Sequence, residues 1–170
     1  MNTQTILRKA QSSDFYRYIL NLALWRVVPF NKPHRLRITA ITDDEVQIEL
    51  PYIRKNLNHV GGIHACALAT LCEYASGLCL LKHLPPTEYR IVMKGLNMTY
   101  HYQAKTTVRV KFRVTKEELN YDILIPLRDA ESVFKDYQVD VFDETENHIC
   151  TGIINWQIKP WSKVRTKVKQ

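Results

Sequence analysis

The residue best suited to chemistry in this 170-residue chain is Glu73, which lies within the apolar run 65–81. The run reads ACALATLCEYASGLCLL, and Glu73 is its only Asp, Glu, His, Lys or Arg. A carboxylate is almost never buried without a partner, and burial raises its pKa, which suits it to proton transfer. The alternative is that Glu73 pairs with a nearby Arg or Lys, or lies at an exposed dimer seam.

A second set of polar groups precedes the same run, in the loop 56–64 with the sequence NLNHVGGIH. Gly61 and Gly62 allow a tight turn and a close approach of the backbone to a ligand. If the apolar run is a helix, its first turn offers free backbone N–H groups and the positive end of the helix dipole. Such groups stabilise negative charge on a carbonyl oxygen, as in an oxyanion hole. Asn58 and His64 would add side-chain hydrogen bonds, although His64 is equally suited to a simple helix cap.

The spacing of His64 and Glu73 restricts how the two residues can work together. They are nine residues apart, which corresponds to about 13 Å along a helix axis and to opposite sides of the helix. One small site within one chain therefore cannot use both. Two antiparallel helices across a two-fold axis would bring Glu73 of one chain to the His64 end of the other. An active Glu73 thus predicts a homodimer with two shared sites.

Two helices are predicted before and after the first strands. The stretch 14–28 is apolar and amphipathic, Ser12 or Ser13 could cap its start, and Pro29 would stop it. We expect this helix to pack on the domain; a helix lying on a membrane surface is the alternative. The run 65–81 is at the short limit for a bilayer span and carries a charge at its centre, so a buried core helix is the better interpretation.

An alternation of period two on both sides of the central helix predicts antiparallel strands. The predicted strands cover residues 36–40, 46–50, 96–100, 108–114, 137–142 and 149–158, with an irregular segment at 116–132. An antiparallel sheet buries one face, whereas a helix that is apolar on every side must be covered on every side. We therefore predict an α+β domain in which a strongly curved sheet wraps around the central helix. A second copy of the chain would cover the remainder of that helix.

The composition indicates a single globular domain, with 45% hydrophobic and 24% charged residues. We take residues 1–170 as one domain, with a core at about 12–158 and a basic, mobile tail at 159–170. Four cysteines without a C-x-x-C pair, and no visible signal peptide, predict a cytoplasmic protein without a disulfide framework. The net charge of +7 suggests an anionic partner: nucleic acid, a membrane surface or a phosphorylated small molecule.

The pattern Asn58-x5-His64-Ala65-x7-Glu73, at the opening of a long apolar helix, resembles that of hotdog-fold acyl-CoA thioesterases of the PaaI-like type. Their usual pattern is Asn, then His-Gly-Gly, then Asp or Glu on the central helix. The spacing matches without gaps, and the resemblance covers most of residues 12–158. It implies a hotdog fold and hydrolysis of an acyl thioester carried by coenzyme A or by an acyl carrier protein.

The resemblance also implies a role for each residue of the pattern. The backbone N–H of Ala65 would bind the thioester carbonyl. Glu73 of the other subunit would act as a general base on water or as a nucleophile. Asn58 would orient the water or the carbonyl, and His64 would shape the loop or contact the thioester.

The chain departs from the family at one point, because Ala65-Cys66 stands where the family has Gly-Gly. With Gly62, these two residues are the predicted substrate-binding positions. The backbone N–H of Ala65 is retained, but its Cβ would crowd the acyl group. Some related hotdog proteins bind acyl thioesters without hydrolysing them, so a non-catalytic acyl-thioester-binding or regulatory module is the alternative function.

Other kinds of site have weaker support. The phosphates of coenzyme A would lie on Arg109, Lys111 and Arg113, although a solvated strand face explains these cations as well. Cys66 near a helix N-terminus could be a nucleophile, but side chains two residues apart, as in Cys66 and His64, do not face each other on a helix. A hotdog dehydratase matches the spacing less well. We expect no metal, no cofactor beyond the substrate's coenzyme A, and neither nucleic acid nor membrane as a partner; assembly of dimers into tetramers stays open.

Overall fold

The computed structural model describes residues 3–164. Its helices are α1 (Thr3–Ser12), α2 (Asp14–Val27), α3 (Ala65–His83) and α4 (Lys116–Leu119). Its strands are β1 (Arg37–Ile41), β2 (Glu45–Leu50), β3 (Tyr89–Tyr100), β4 (Val108–Arg113), β5 (Val133–Asp143) and β6 (His148–Pro160). Short turns of 3-10 helix lie at Pro29–His34, Arg54–Asn56, Pro126–Arg128 and Trp161–Lys163, and a π turn lies at Asn120–Leu124.

The six strands form one antiparallel sheet in the order β1-β2-β4-β5-β6-β3. In β2 and β4 every second residue is buried, because successive side chains of a strand point to opposite faces of a sheet. The buried face packs against α3, which contacts β2, β3, β4, β5 and β6. The predicted α+β architecture, a sheet around a central apolar helix with a helix before it, is confirmed.

The central helix α3 is held by apolar packing and by one polar contact to the sheet. Eleven of its 19 residues are buried. The Ser76 hydroxyl accepts a hydrogen bond from the Trp156 indole N–H at 3.0 Å. A Cβ at Gly77 would lie 3.1 Å from the Trp156 ring, so glycine lets helix and sheet approach here. By length and composition α3 could also cross a membrane, but most of it is buried within the protein.

The sheet leaves one stripe of α3 uncovered over its N-terminal half. Cys66, Ala69, Thr70 and Glu73 follow the i, i+3, i+4, i+7 spacing of one helix face and are partly or fully exposed. These four residues are called the α3 stripe below. The stripe is the part of the apolar helix that residues 3–164 leave uncovered.

The two edges of the sheet differ. On the β1 side, the Asn21 side chain donates to the Ile38 carbonyl at 3.1 Å and accepts from the Ile38 N–H at 2.8 Å. The Trp25 indole donates to the Leu36 carbonyl at 2.8 Å. Side chains of α2 therefore satisfy the backbone edge of β1, whereas the 12-residue β3 has no strand partner on its outer edge among residues 3–164. An unpaired edge of this length is a template for another strand.

Two elements, α1 and β3, differ from the sequence-based expectation. The predicted helix at 14–28 is present as α2, but the preceding helix α1 was not predicted. Strand β3 begins at Tyr89 rather than at residue 96, because a register shift between Met93 and Gly95 interrupts the alternation of side chains. The irregular segment 116–132 contains α4 and two short turns, as expected.

The C-terminal segment is ordered further than we predicted. Strand β6 continues to Pro160, and the Trp161 indole donates to the Pro86 carbonyl at 2.7 Å. The Lys163 ammonium donates to the carbonyls of Leu127 and Ala130 at 3.1 and 2.7 Å. These contacts hold residues 159–163, which we expected to be mobile; residues 165–170 lie outside the described part of the chain.

The edge protection by α2 leads to a stability prediction. Asn21→Ala should lower the free energy of unfolding by about 1–3 kcal/mol, because two backbone groups of Ile38 lose their partner. Urea denaturation followed by circular dichroism measures the change. Asn120→Ala is the matched control, since Asn120 is exposed and has no side-chain hydrogen bond. An equal effect of both substitutions would contradict the proposed capping of β1.

Candidate functional site

The loop before α3 is shaped by the side chain of Asn58. Its amide oxygen accepts hydrogen bonds from the backbone N–H groups of Val60 at 3.1 Å and Gly62 at 3.0 Å. The backbone N–H of Asn58 donates to the Gly62 carbonyl at 2.8 Å. Gly61 has φ +76°, a left-handed conformation that favours glycine. The amide nitrogen of Asn58 has no acceptor within residues 3–164 and is available to a ligand.

His64 is the N-cap residue of α3. Its Nδ1 accepts a hydrogen bond from the backbone N–H of Cys66 at 3.0 Å. When the ring is neutral, its proton is therefore on Nε2. The His64 side chain is exposed. The cap role that we considered for His64 is therefore present in the structure, and the N–H of Cys66 is already used.

The backbone N–H of Ala65 is the free donor at the start of α3. The N–H groups of Ala67 and Leu68 donate to the His64 carbonyl at 2.9 and 3.2 Å, and that of Cys66 donates to the His64 ring. The N–H of Ala65 has no acceptor in the part of the chain that the structure describes. It lies at the positive end of the helix dipole, where an oxyanion is stabilised.

Ala65 and Asn58 line the same cavity, which has a volume of about 370 Å³. Its other walls are Ile63, Leu68 and the segment 100–104. Two unused hydrogen-bond donors thus lie on residues around one small cavity beside the start of α3. Free donors beside a cavity are groups that can bind a carbonyl oxygen of a ligand.

Sequence analysis missed the segment 100–104 as a wall of this cavity. The Tyr100 hydroxyl donates to the Ala65 carbonyl at 3.1 Å, and the Ala104 carbonyl accepts from the Ile63 N–H at 2.9 Å. A Cβ at Gly62 would lie 2.7 Å from the Gln103 side chain, so Gly62 permits this contact rather than facing an open cavity. The aromatic and polar run at the end of β3 was the one available signal.

Glu73 has the properties that the sequence predicts for it within one chain. Glu73 is partly buried, and this burial raises the pKa of its carboxyl group above the ordinary value. The carboxylate forms no ion pair or hydrogen bond with residues 3–164, so the alternative of an internal Arg or Lys partner has no support. The alternative of a dimer seam agrees with its place on the α3 stripe.

One chain does not bring all the predicted residues together. Asn58, Gly62, His64 and Ala65 surround the start of α3, whereas Glu73 does not line the cavity there. Glu73 lies eight positions after Ala65 on the helix, which is about 12 Å along the axis. The separation predicted from the sequence therefore holds in the structure.

The cations of β4 are explained by their strand neighbours. Arg109 forms an ion pair with Glu146, and the register places Glu49 opposite Arg109 and Glu45 opposite Arg113. Alternating charges of this kind are typical of a solvated strand face. A cavity of about 440 Å³ on this face is lined by Arg109, Lys111 and Arg113, with Asp140 and Glu146 also in its wall. The coenzyme A phosphate site on β4 therefore stays a prediction.

The cysteines and the metal-ligand types give no second reaction centre among residues 3–164. Cys66 is exposed, while Cys72, Cys79 and Cys150 are buried. The Nδ1 of His64 binds the backbone of Cys66, so in this conformation it does not activate the thiol. No group of three His, Cys, Asp or Glu side chains in the described ranges is placed to hold a metal ion.

The sequence matches a family model described as "Domain of unknown function (DUF4442)" over residues 17–158. The chain is a member of the DUF4442 family. A comparison with curated proteins gave no match.

Solved structures identify the fold of this DUF4442 protein. A Pseudomonas aeruginosa protein of unknown function, described as a probable thioesterase, is 20% identical with a TM-score of 0.77, covering 84% of this chain and 95% of its own. A Shewanella oneidensis protein proposed to be a thioesterase is 17% identical with a TM-score of 0.69, covering 87% and 100%. A Staphylococcus aureus thioesterase is 18% identical with a TM-score of 0.62, covering 78% and 100%. The predicted hotdog fold is confirmed.

The burial of Glu73 makes the stability of the DUF4442 protein depend on pH. A carboxyl whose pKa is raised on folding contributes stability that is fully present below its unfolded pKa and is lost as pH rises through its folded pKa. Glu73→Gln, neutral at every pH, should therefore raise the urea midpoint at pH 7 and leave it unchanged below about pH 4.

The midpoints are compared at one protein concentration, because assembly also affects stability. Glu117→Gln on α4 is the matched control, since Glu117 is exposed and should change the midpoint little at either pH. A gain that is the same at pH 4 and pH 7 would show that Glu73 is not a destabilising charge.

Proposed function

We propose that this protein hydrolyses an acyl thioester at a site shared between the two chains of a homodimer. One observation carries the proposal. Within residues 3–164, the cavity at the start of α3 has unused donors on Ala65 and Asn58. Glu73, the acid that could complete the site, has no partner among the same residues and lies on the α3 stripe.

The dimer follows from the two surfaces that the chain leaves incomplete. The outer edge of β3 is open, and β3 packs on α3, which bears the uncovered α3 stripe. Joining two copies along β3 by a two-fold axis would extend the sheet and place the two α3 helices antiparallel. Glu73 of each chain would then approach the Ala65 end of the partner helix.

The chemistry in such a shared site uses groups with defined roles. The thioester carbonyl oxygen would accept hydrogen bonds from the Ala65 N–H and the Asn58 amide. The partner's Glu73 would take a proton from water as its oxygen bonds to the carbonyl carbon, giving a tetrahedral oxyanion. Collapse of that oxyanion breaks the carbon–sulfur bond, and the proton on Glu73 passes to the leaving thiolate. A carboxyl group with a raised pKa is suited to both transfers.

The solved relatives add support from spacing. Structures of the Staphylococcus aureus thioesterase include mutants of a glutamine and of a glutamate that lie fifteen positions apart in its own chain. Asn58 and Glu73 lie fifteen positions apart here as well (73 minus 58). The amide-bearing residue and the acid thus have the same separation in both proteins.

The substrate would be an acyl group on coenzyme A or on an acyl carrier protein. Ala65 and Leu68 line the cavity with the aromatic residues Tyr100 and Tyr102. The methyl group of Ala65 narrows the space that a glycine would leave. This narrowing favours the second candidate function, in which the protein binds acyl thioesters without hydrolysing them.

Substitution of Glu73 separates these two functions. Glu73→Gln keeps the shape of the side chain but removes the base, so kcat for thiol release from acyl-CoA should fall by about 10²–10⁴-fold with KM nearly unchanged. The assay uses short, long and aromatic acyl chains, with Glu117→Gln as the control. If the parent protein binds acyl-CoA but does not hydrolyse it, the binding module is favoured. If the parent protein and Glu73→Gln hydrolyse acyl-CoA at the same rate, the mechanism is overturned.

Mixing two inactive variants tests whether the site is shared. Glu73→Ala and Asn58→Ala homodimers should each be nearly inactive. A heterodimer has one site with both residues intact, so an exchanged equal mixture should recover about a quarter of the parent activity. Each variant mixed with itself under the same exchange conditions is the control. Failure to recover activity despite demonstrated exchange would place both residues in a site within one chain.

A further inference from the structure

The N-terminal helix α2 is apolar on two faces but packs on one. Its inner face contributes Leu20 and Leu24 to the core and hydrogen bonds β1 through Asn21 and Trp25. Its outer face and the following turn expose six large apolar or aromatic side chains: Phe15, Tyr18, Leu22, Val27, Val28 and Phe30. These six residues are called the α2 patch. Scattered exposed apolar residues are ordinary, but a cluster on one helix face marks an interaction surface.

Three members of the α2 patch lie on one side of the helix, and the other three lie at or after its C-terminal end. Phe15, Tyr18 and Leu22 follow the i, i+3, i+7 spacing of a single face and are 65%, 62% and 43% exposed. Val27 and Phe30, at the end of α2 and in the next turn, are 74% and 68% exposed. The patch therefore continues from the helix onto the turn Pro29–His34.

The charge around the α2 patch is mainly positive. Between Asp14 and Asp43 the sequence has five Lys or Arg and no Asp or Glu, and Asp14 itself is paired with Arg17. Among residues 3–164, Arg26, Lys32, Arg35 and Lys55 form no ion pair. The patch is thus an apolar surface bordered by free cations.

A cationic groove adjoins the patch. It has a volume of about 420 Å³ and is lined by Trp25, Pro29, Lys32, Pro33, Arg35 and Lys55. Because the Trp25 indole N–H already donates to the Leu36 carbonyl, the groups that the groove offers to a ligand are its three cations, Lys32, Arg35 and Lys55. Cations beside an exposed apolar surface match the phosphates of lipid headgroups.

We propose that the α2 patch and its cationic groove bind the surface of an anionic lipid membrane. Helices with an apolar face and basic residues beside it lie in the interface, with aromatic and aliphatic side chains among the acyl chains and cations on anionic headgroups. This departs from the sequence-based expectation that no membrane is a partner. It does not rest on the proposed thioesterase activity.

The charges argue against a second copy of the chain as the occupant. A two-fold contact through the patch would pack this mainly positive surface against a copy of itself, which brings like charges together. The proposed dimer also leaves the patch exposed, because α2 packs beside β1, at the sheet edge opposite β3. An anionic surface is the partner that matches both the apolar residues and the cations.

Hydrogen bonds of one residue, Asn56, connect the turn Pro29–His34 to the start of α3. The amide of Asn56, which is buried, donates to the His34 carbonyl at 3.0 Å, and its oxygen lies 3.0 Å from Nδ1 of His34. The Asn56 carbonyl accepts from the His64 N–H at 2.7 Å. The turn that carries part of the patch is thus linked through one residue to the cap of α3.

Co-sedimentation of the full chain with vesicles tests the proposal. The vesicles are phosphatidylcholine alone or phosphatidylcholine with about one third phosphatidylglycerol. We expect binding to the anionic vesicles that weakens as salt is raised, and little binding to the neutral ones. Phe15→Ser combined with Phe30→Ser should reduce binding about tenfold or more, because the two phenyl groups that would insert among the acyl chains are lost.

Two matched controls complete the experiment. Tyr121→Ser combined with Phe134→Ser removes aromatic side chains that are 70% and 55% exposed elsewhere, and should leave binding unchanged. Arg26→Glu combined with Lys32→Glu should abolish the preference for anionic vesicles, whereas Lys105→Glu combined with Lys111→Glu should largely preserve it. The charge variants alter exposed residues, so they keep the test decisive if the phenylalanine variant folds poorly.

Three outcomes would overturn the proposal. The first is no binding of the parent protein to anionic vesicles. The second is an equal loss of binding in the patch variants and in their controls. The third combines two results: the parent protein does not bind vesicles, and sedimentation velocity shows that the phenylalanine variant has a different oligomeric state from the parent. These results would assign the patch to a second copy of the chain.

Discussion

The structure depends on covering one helix that is apolar on nearly every side. A helix such as α3 cannot lie on the surface of a sheet in the ordinary way, since only one of its faces would be covered. The six-stranded sheet solves most of the problem by packing five of its strands against the helix. What the sheet leaves uncovered, the α3 stripe, contains Glu73. The same packing constraint thus forms the core and leaves the acid at the surface where a second chain would bind.

The core elements could be predicted from the sequence because their signals are local and periodic. The apolar run of α3 and the alternation in β2, β4, β5 and β6 each follow from side-chain direction in one element. The start of β3 could not be predicted, because the bulge between Met93 and Gly95 breaks the alternation. The contacts that hold residues 159–163 are long-range hydrogen bonds to Pro86, Leu127 and Ala130, which no local pattern contains.

In the candidate site too, local features could be predicted from the sequence, whereas long-range contacts could not. The loop with Asn58, the cap by His64 and the isolated acid Glu73 could be inferred from residue types and spacing. The wall at 100–104 could not, because it reaches Ala65 and Gly62 only through the pairing of β3 with β6 and through side chains of that segment. Sequence reasoning also could not determine which first-turn N–H remains free. That required the observation that His64 uses the N–H of Cys66 and leaves the N–H of Ala65.

The difference between the two sheet edges links the remaining features. Open edges are a liability, and α2 removes one of them by bonding β1 through Asn21 and Trp25. Because α2 uses one face for this purpose, its other apolar face has no partner in the part of the chain that the structure describes. The β3 edge, with no such cover among residues 3–164, is the edge left for assembly. The position of α2 therefore accounts both for the direction in which a dimer would form and for an exposed patch on the opposite side of the molecule.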